Sequence, residues 1–105
     1  MSTSGIDYLL QLQQIIDSRR TSTTNESYTA QLFAAGTPRM AQKVGEEGVE
    51  VAIAAVQGDK PRVRAEAADL LYHLIVLLRS QDLSLEDVAS ELEQRRSASQ
   101  AKQPG

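Results

Sequence analysis

The turn sequence Gly58-Asp59-Lys60-Pro61 separates two long segments that both carry the pattern of a helix. The first segment starts at Thr37-Pro38, where threonine can act as the N-cap and proline fits the first helical position. We expect it to end just before Gly58. The second segment has Pro61 in its first turn and continues to about Ser80. The pattern predicts two long helices joined as an antiparallel hairpin, and the rest of the chain has to pack around them.

A strand is the alternative for the end of the first segment. Val49, Val51 and Ile53 alternate with Glu50, Ala52 and Ala54, which is the two-residue period of a β-strand. Pattern alone leaves both structures open. The alanine content of the segment favours the helix.

Three shorter segments with helical spacing flank the hairpin. Residues 6–19 are amphipathic, and residues 28–35 follow a capping residue, Ser27, and end at Gly36. After the hairpin, Ser84 and Asp87 have the spacing of a capping box at the start of a last helix.

An all-α fold follows from these elements and from a composition with few prolines and only 4% aromatic residues. We predict one domain over residues 1–96, built as a helical bundle of four to five helices per chain, and a disordered tail over residues 97–105. The second hairpin helix is apolar almost all round after Ala67, more than its short neighbours can cover. The bundle is therefore expected to be completed by dimerisation, as a homodimer or a larger assembly.

Five carboxylates fall on the two hairpin helices. Glu46, Glu47 and Glu50 share one stripe of the first helix, and Glu66 and Asp69 lie three residues apart on the second. An antiparallel hairpin would turn the two acidic stripes toward each other. Oxygen ligands without cysteine or histidine suit a hard cation, so we predict a Mg²⁺ site.

A solvated acidic face is the alternative explanation of the first stripe, with Lys43 balancing its charge. It explains the second stripe less well, because aspartate is a poor residue inside a helix and a solvated face does not require it. The metal site is therefore the preferred interpretation when both stripes are considered together.

Four other residues have two interpretations each. Arg39 and Lys43 could hold phosphate or be solvated surface cations. His73 and Tyr72 lie in an aliphatic run, where a hydrogen-bonded core or interface role is the preferred interpretation and a catalytic role the other.

Charge and composition exclude several classes of function. The net charge of −3 gives no basic surface for nucleic acid or an anionic membrane, and the absence of cysteine excludes disulfides and zinc–thiolate sites. The apolar run Leu70–Leu78 is far shorter than the ~20 residues that span a bilayer. The first residues lack the features of a signal peptide, so a cytoplasmic location is expected.

Four segments resemble the phosphoribosyl-ATP pyrophosphohydrolases of histidine biosynthesis: SYTAQLFAAG, KVGEEGVEVAIAA, EAADLLYHLIVLL and LSLEDVASELEQR. The resemblance extends over residues 6–95. It includes the E-E-x-x-E and E-x-x-D signature of the all-α, MazG-type NTP pyrophosphohydrolase superfamily, and it implies a helix in place of the strand alternative.

This resemblance implies hydrolysis of phosphoribosyl-ATP to phosphoribosyl-AMP and pyrophosphate, the second step of histidine biosynthesis, with Mg²⁺ as cofactor. By motif position, the implied magnesium ligands are Glu47, Glu50, Glu66 and Asp69. Glu46 is implied as a further ligand through water or as the base that prepares the attacking water, which makes it a catalytic candidate together with Glu47. Arg39 and Lys43 would face the phosphates.

The extra ribose phosphate of this substrate needs its own contacts. An arginine or a helix start is the usual way to hold such a dianion. The candidates are Arg19 or Arg20, after the first helix, and the Ser27-Tyr28-Thr29 start of the second, with Arg20 and Ser27 preferred. An arginine there also complements the helix dipole, and Ser27 is also a cap.

Two other functions remain open at this stage. A house-cleaning pyrophosphatase for noncanonical nucleoside triphosphates would need the same carboxylates. A non-catalytic helical dimerisation module would use the acidic stripe only to bind a metal or a basic partner.

Overall fold

The computed structural model describes residues 5–102 of the chain, with the side chains of residues 5–99. The described residues form five helices and no strand, which confirms the predicted all-α fold: α1 (Asp7–Arg19), α2 (Tyr28–Ala35), α3 (Thr37–Val56), α4 (Lys60–Ser80) and α5 (Leu85–Lys102). Residues 49–56 lie inside α3, so the strand alternative is wrong. No helix in the described part of the chain has both the length and the apolar content needed to cross a membrane.

The α3–α4 hairpin is closed by a complete C-terminal capping motif. Gly58 has a φ of 73°, its N–H donates to the carbonyl of Ala55 at 3.0 Å, and the N–H of Asp59 donates to the carbonyl of Ala54 at 3.2 Å. This is the Schellman arrangement, which needs a left-handed residue at the position of Gly58. Asp59 then caps α4 by accepting from the N–H of Arg62 at 3.1 Å. The predicted turn is therefore confirmed.

The start of α3 differs from the prediction. Thr37 was expected to be the N-cap, but it is the first residue of the helix, and Gly36 precedes it with a φ of 92°. Gly36 ends α2 by donating to the carbonyl of Leu32 and begins α3 by accepting from the N–H of Met40. One glycine serves both helices because its positive φ reverses the chain without an intervening residue.

The core surrounds the C-terminal half of α4. Ile75 and Val76 are fully buried there against Ile16 of α1, Leu32 of α2 and Met40 of α3. The N-terminal half of α4 packs against α3, so that half of the hairpin carries its acidic residues at the edge of the core.

Helix α5 is attached to the body at its start and extends away from it. The buried Gln13 side chain of α1 accepts from the N–H of Leu85 at 2.7 Å and donates to the Glu86 carboxylate at 2.9 Å. Every side chain described from Glu86 onward is exposed.

This helix corrects the predicted start of the tail, because residues 97–102 continue α5 instead of being disordered. The serine, alanine and glutamine residues there contain no helix breaker before Pro104. Residues 103–105 lie outside the described part, and the predicted domain bounds of 1–96 stay a prediction.

Candidate metal centre between α3 and α4

Three carboxylates from the two hairpin helices converge. Glu47 of α3 meets Glu66 and Asp69 of α4, with one oxygen of each lying within 4.8 Å of the others. Glu47 and Glu66 are partly buried and Asp69 is exposed. The predicted meeting of the two acidic stripes is therefore seen in the structure, although only three of the five predicted carboxylates take part.

The donor set fits a hard divalent cation. Oxygens bound to Mg²⁺ lie ~2.1 Å from the ion, so two opposite ligands are about 4.2 Å apart. In an octahedral shell three ligands include at most one such pair, and neighbouring ligands lie ~3.0 Å apart. The three oxygens, which lie within 4.8 Å of one another, therefore have to move closer together to bind one ion. The open side of the cluster leaves room for the water and phosphate ligands that Mg²⁺ usually keeps.

Two cations balance the acidic residues. Lys43 Nζ lies 3.4 Å from Glu47 and 3.7 Å from Glu46. Arg62 of α4 lies 3.0 Å from Glu50 and 3.9 Å from Glu66. The chain therefore supplies its own positive charge on both sides of the cluster, which offsets the repulsion among like charges.

Glu50 and Glu46 lie outside the group of three. The Glu50 carboxylate accepts a hydrogen bond from Arg62. The Glu46 carboxylate is exposed and accepts from the Gln42 amide at 3.1 Å. Their roles as ligand and as base stay predictions.

The two preferred candidates for the ribose phosphate have structural contacts. The Ser27 hydroxyl is buried and caps α2 by accepting from the N–H of Ala30 at 3.2 Å. The Arg20 guanidinium donates to the carbonyl of Arg79 at 3.2 Å and lies 4.8 Å over the ring of Phe33. Any binding role would have to coexist with these contacts.

Aromatic residues connect α2 to α4 beside the cluster. His73 is buried and donates from Nδ1 to the carbonyl of Asp69 at 2.8 Å. Its Nε2 is hydrogen-bonded to the Tyr28 hydroxyl at 2.9 Å. Tyr72 hydrogen-bonds through its hydroxyl to Thr29. The predicted core roles of His73 and Tyr72 are confirmed.

Burial raises the pKa of Tyr72, and the hydrogen bond from Thr29 opposes that rise. Tyr72 and His73 also meet edge to face, with ring centroids 5.0 Å apart. The hydrogen bonds of Tyr28 to His73 and of Thr29 to Tyr72 hold α2 against the α4 turn that carries Asp69.

Sequence reasoning missed Arg62 as a partner of the carboxylates, and it missed the hydrogen bond of Tyr28 to His73. Arg62 precedes Glu66 by four residues, a spacing that places the two side chains together on a helix and could have identified it. Tyr28 had no comparable local signal, because its partner lies on another helix.

The sequence was compared with known proteins. Residues 9–96 match the family model described as phosphoribosyl-ATP pyrophosphohydrolase. A histidine biosynthesis bifunctional protein HisIE from Photobacterium profundum is 56% identical over 88 residues, which is 84% of this chain and 42% of the relative.

Proteins of the same description are similar in two other organisms. The Vibrio parahaemolyticus protein is 53% identical over 92 residues, 88% of this chain and 44% of the relative. The Campylobacter jejuni protein is 53% identical over 91 residues, 87% of this chain and 44% of the relative. The chain thus spans less than half the length of these bifunctional relatives.

Proposed function

Because the chain belongs to the phosphoribosyl-ATP pyrophosphohydrolase family, we propose that it hydrolyses phosphoribosyl-ATP to phosphoribosyl-AMP and pyrophosphate in a Mg²⁺-dependent reaction of histidine biosynthesis. The observation that carries the proposal is the convergence of Glu47, Glu66 and Asp69 from two helices. Three carboxylates with an open side suit a cation that shares its coordination sphere with a polyphosphate.

In this proposal some carboxylates bind the ion and another accepts a proton. Glu47, Glu66 and Asp69 would hold the ion, and Glu50 would complete the set after leaving Arg62. When bound, Mg²⁺ neutralises phosphate charge and lowers the pKa of bound water. The exposed Glu46 carboxylate would accept the proton of the attacking water.

Lys43 and Arg39 would bind the phosphate oxygens. Lys43 lies against Glu46 and Glu47, on the α3 side of the cluster. Arg39 is one turn earlier on the same helix and exposed. Phosphoryl transfer depends mainly on positioning and charge neutralisation, so cations at this place suit the reaction.

We also propose that the protein is a homodimer. Its radius of gyration is 16.3 Å, whereas a compact chain of this length has about 13 Å. Large apolar side chains are exposed on two surfaces. The first has Val49, Ile53 and Val56 of α3; the second has Ile6, just before α1, Leu10 of α1, and Val88 and Leu92 of α5. A second copy of the chain would cover such surfaces in the commonest symmetric arrangement.

The test is a pyrophosphate-release assay with phosphoribosyl-ATP, ATP and dUTP, with Mg²⁺ and with EDTA. We expect release from phosphoribosyl-ATP in Mg²⁺ and none in EDTA. Equal or faster release from ATP and dUTP would instead indicate a general nucleotide pyrophosphatase. No release from any of the three would leave a non-catalytic module.

A further inference from the structure

Arg62 lies in the first turn of α4, and its side chain reaches back to α3. Its N–H is held by the N-cap residue Asp59. Its Nη1 donates to the Gln57 side chain at 2.9 Å, and its Nη2 donates to Glu50 Oε2 at 3.0 Å. The guanidinium is therefore fixed by contacts from both helices of the hairpin.

The same guanidinium lies beside one carboxylate of the candidate metal centre and beside a second carboxylate next to it. Its Nε lies 3.9 Å from Glu66 Oε1, and Glu66 belongs to the converging group of three. Its other carboxylate partner is Glu50, which the family resemblance implies as a ligand and which lies outside that group. Arg62 is thus paired with Glu66, which belongs to the cluster, and with Glu50, which would be its fourth carboxylate.

We propose that Arg62 is an intramolecular counterion that competes with the divalent cation for Glu50 and Glu66 and so lowers the metal affinity of the centre. This inference rests on the proposed function, because it concerns the same metal site. Arginine suits the role: its charge is permanent, and its planar fork can serve two carboxylates at once.

The competition follows because the same Glu50 oxygen cannot serve both partners. Its Oε2 accepts from Arg62 Nη2, and a carboxylate that turns to an ion has to give up that bond. A contact that has to be broken for the ion to bind opposes binding by the free energy of that contact.

Exposure determines how large the effect is. The side chain of Arg62 is 37% exposed, that of Glu50 44% and that of Glu66 22%, so water partly screens both pairs. Losing an ion pair of this exposure corresponds to a change in Mg²⁺ affinity of about two- to fivefold.

The experiment is a calorimetric titration of metal-free protein with Mg²⁺. We expect Arg62→Ala to bind two- to fivefold more tightly than the wild type, with a smaller gain for Arg62→Lys, which keeps the charge but loses the fork. Arg64→Ala is the matched control: Arg64 is exposed, lies on the same helix and changes the net charge equally. The Arg64→Ala variant measures how much the loss of a nearby cation by itself changes the Mg²⁺ affinity.

A second pair of variants tests the route through Glu50. If Arg62 acts by holding that carboxylate, the gain from Arg62→Ala shrinks when it is introduced into Glu50→Gln, since interacting residues are not additive. An undiminished gain would overturn the competition for Glu50.

The outcomes separate this inference from the proposed function. A wild-type protein that binds Mg²⁺, with Arg62→Ala no tighter than Arg64→Ala, overturns the role of Arg62 and leaves the metal site intact. A wild-type protein that binds no Mg²⁺ overturns both. Should Arg62→Ala fail to fold, Arg62→Lys and Arg62→Gln carry the same comparison.

Discussion

Neighbouring carboxylates of the hairpin differ in how far a nearby cation compensates their charge. Glu47 is paired with Lys43, and Glu66 with Arg62. Among the ion pairs of the described residues, none involves Asp69, although its oxygen lies within 4.8 Å of the other two. Its charge is therefore the least compensated of the three.

Asp69→Asn should remove catalysis without weakening the fold. Losing one charge-stabilising group typically costs two to three orders of magnitude, so we expect kcat to fall by at least ~100-fold. The metal-free protein should melt at the same temperature or higher, because the substitution removes repulsion from Glu47 and Glu66. Kinetic assays and thermal melts measure both, with the exposed Glu93→Gln as the control. Near-normal turnover would contradict the assignment of Asp69 to the metal centre.

Arg20→Ala tests how the substrate is distinguished from ATP. The proposed metal centre would contact only polyphosphate, so discrimination would have to come from groups that touch the ribose phosphate. We expect a higher KM for phosphoribosyl-ATP, with the weak hydrolysis of ATP unchanged. Because Arg20 also contacts Arg79 and Phe33, an equal loss on both substrates would assign it to structure alone.

At the scale of the helices, the two long helices end in the same way on different residues. Gly58 has the positive φ at the end of α3, and Asp82 has it at the end of α4, with a φ of 59°. The N–H of Leu83 donates to the carbonyl of Leu78 at 2.9 Å, which repeats the Schellman bond of the first hairpin helix. Aspartate tolerates this conformation better than most residues, but glycine adopts it without steric cost.

Replacing two glycines of this hairpin by alanine should change the free energy of unfolding in opposite directions. At Gly48, in the middle of α3, a Cβ would meet no atom within 4 Å, so Gly48→Ala should raise the free energy of unfolding by about 0.5–1 kcal/mol. Gly58→Ala should lower it by about 1–2 kcal/mol, because a Cβ is strained at its φ of +73°. Urea denaturation measures both changes. Equal shifts for the two variants would show that helix propensity and backbone conformation do not determine them.

The junction of α1 with α5 should give a pH-dependent contribution to stability. The hydrogen bond from Gln13 holds the pKa of Glu86 below its ordinary value. Because the folded pKa is depressed, the stabilisation is fully present above the unfolded pKa of about 4.3. It is lost as the pH falls through the folded pKa.

We therefore expect Glu86→Gln to melt at a lower temperature than the wild type near pH 7, with the difference disappearing in acid below the folded pKa. Thermal melts from pH 7 to pH 3 measure it, with Glu93→Gln as the matched control. A difference that stays constant over this range would mean that the charge of Glu86 does not strengthen the junction.

At the scale of the whole molecule, a single chain does not cover its own apolar surface. Helix α5 extends from the body with Val88 and Leu92 exposed, and Val56 at the end of α3 is 89% exposed. Such surfaces are uncommon on a monomer of this size and are typical of interfaces.

Sedimentation equilibrium at micromolar concentration should give at least twice the chain mass of 11.5 kDa. Val56→Glu and Leu92→Glu place a charge on one apolar surface each, so the variant that dissociates identifies the interface. Thr21→Glu, at an exposed polar position, is the control and should keep the wild-type mass. A wild-type protein that sediments only as a monomer would contradict the homodimer.

The sequence alone determined the helices and their order, because the signals for helix ends are local. Ser84 and Asp87 exchange the predicted capping hydrogen bonds, and Gly58 has the conformation that its position requires. The turn between two helices of similar length also determined that acidic residues of α3 would face those of α4. The helix-end signals and the turn depend on residues within a few positions of one another.

Only the tertiary structure decided which of the five carboxylates meet. Glu47 joins Glu66 and Asp69, while Glu50 is held by Arg62. That choice depends on how α3 and α4 are rotated against each other and on cations that reach across from the other helix. Likewise the junction of α5 depends on Gln13, a polar residue buried on a distant helix. Contacts between side chains far apart in sequence leave no local pattern, which is why the pairing of the charges could be seen only in the folded chain.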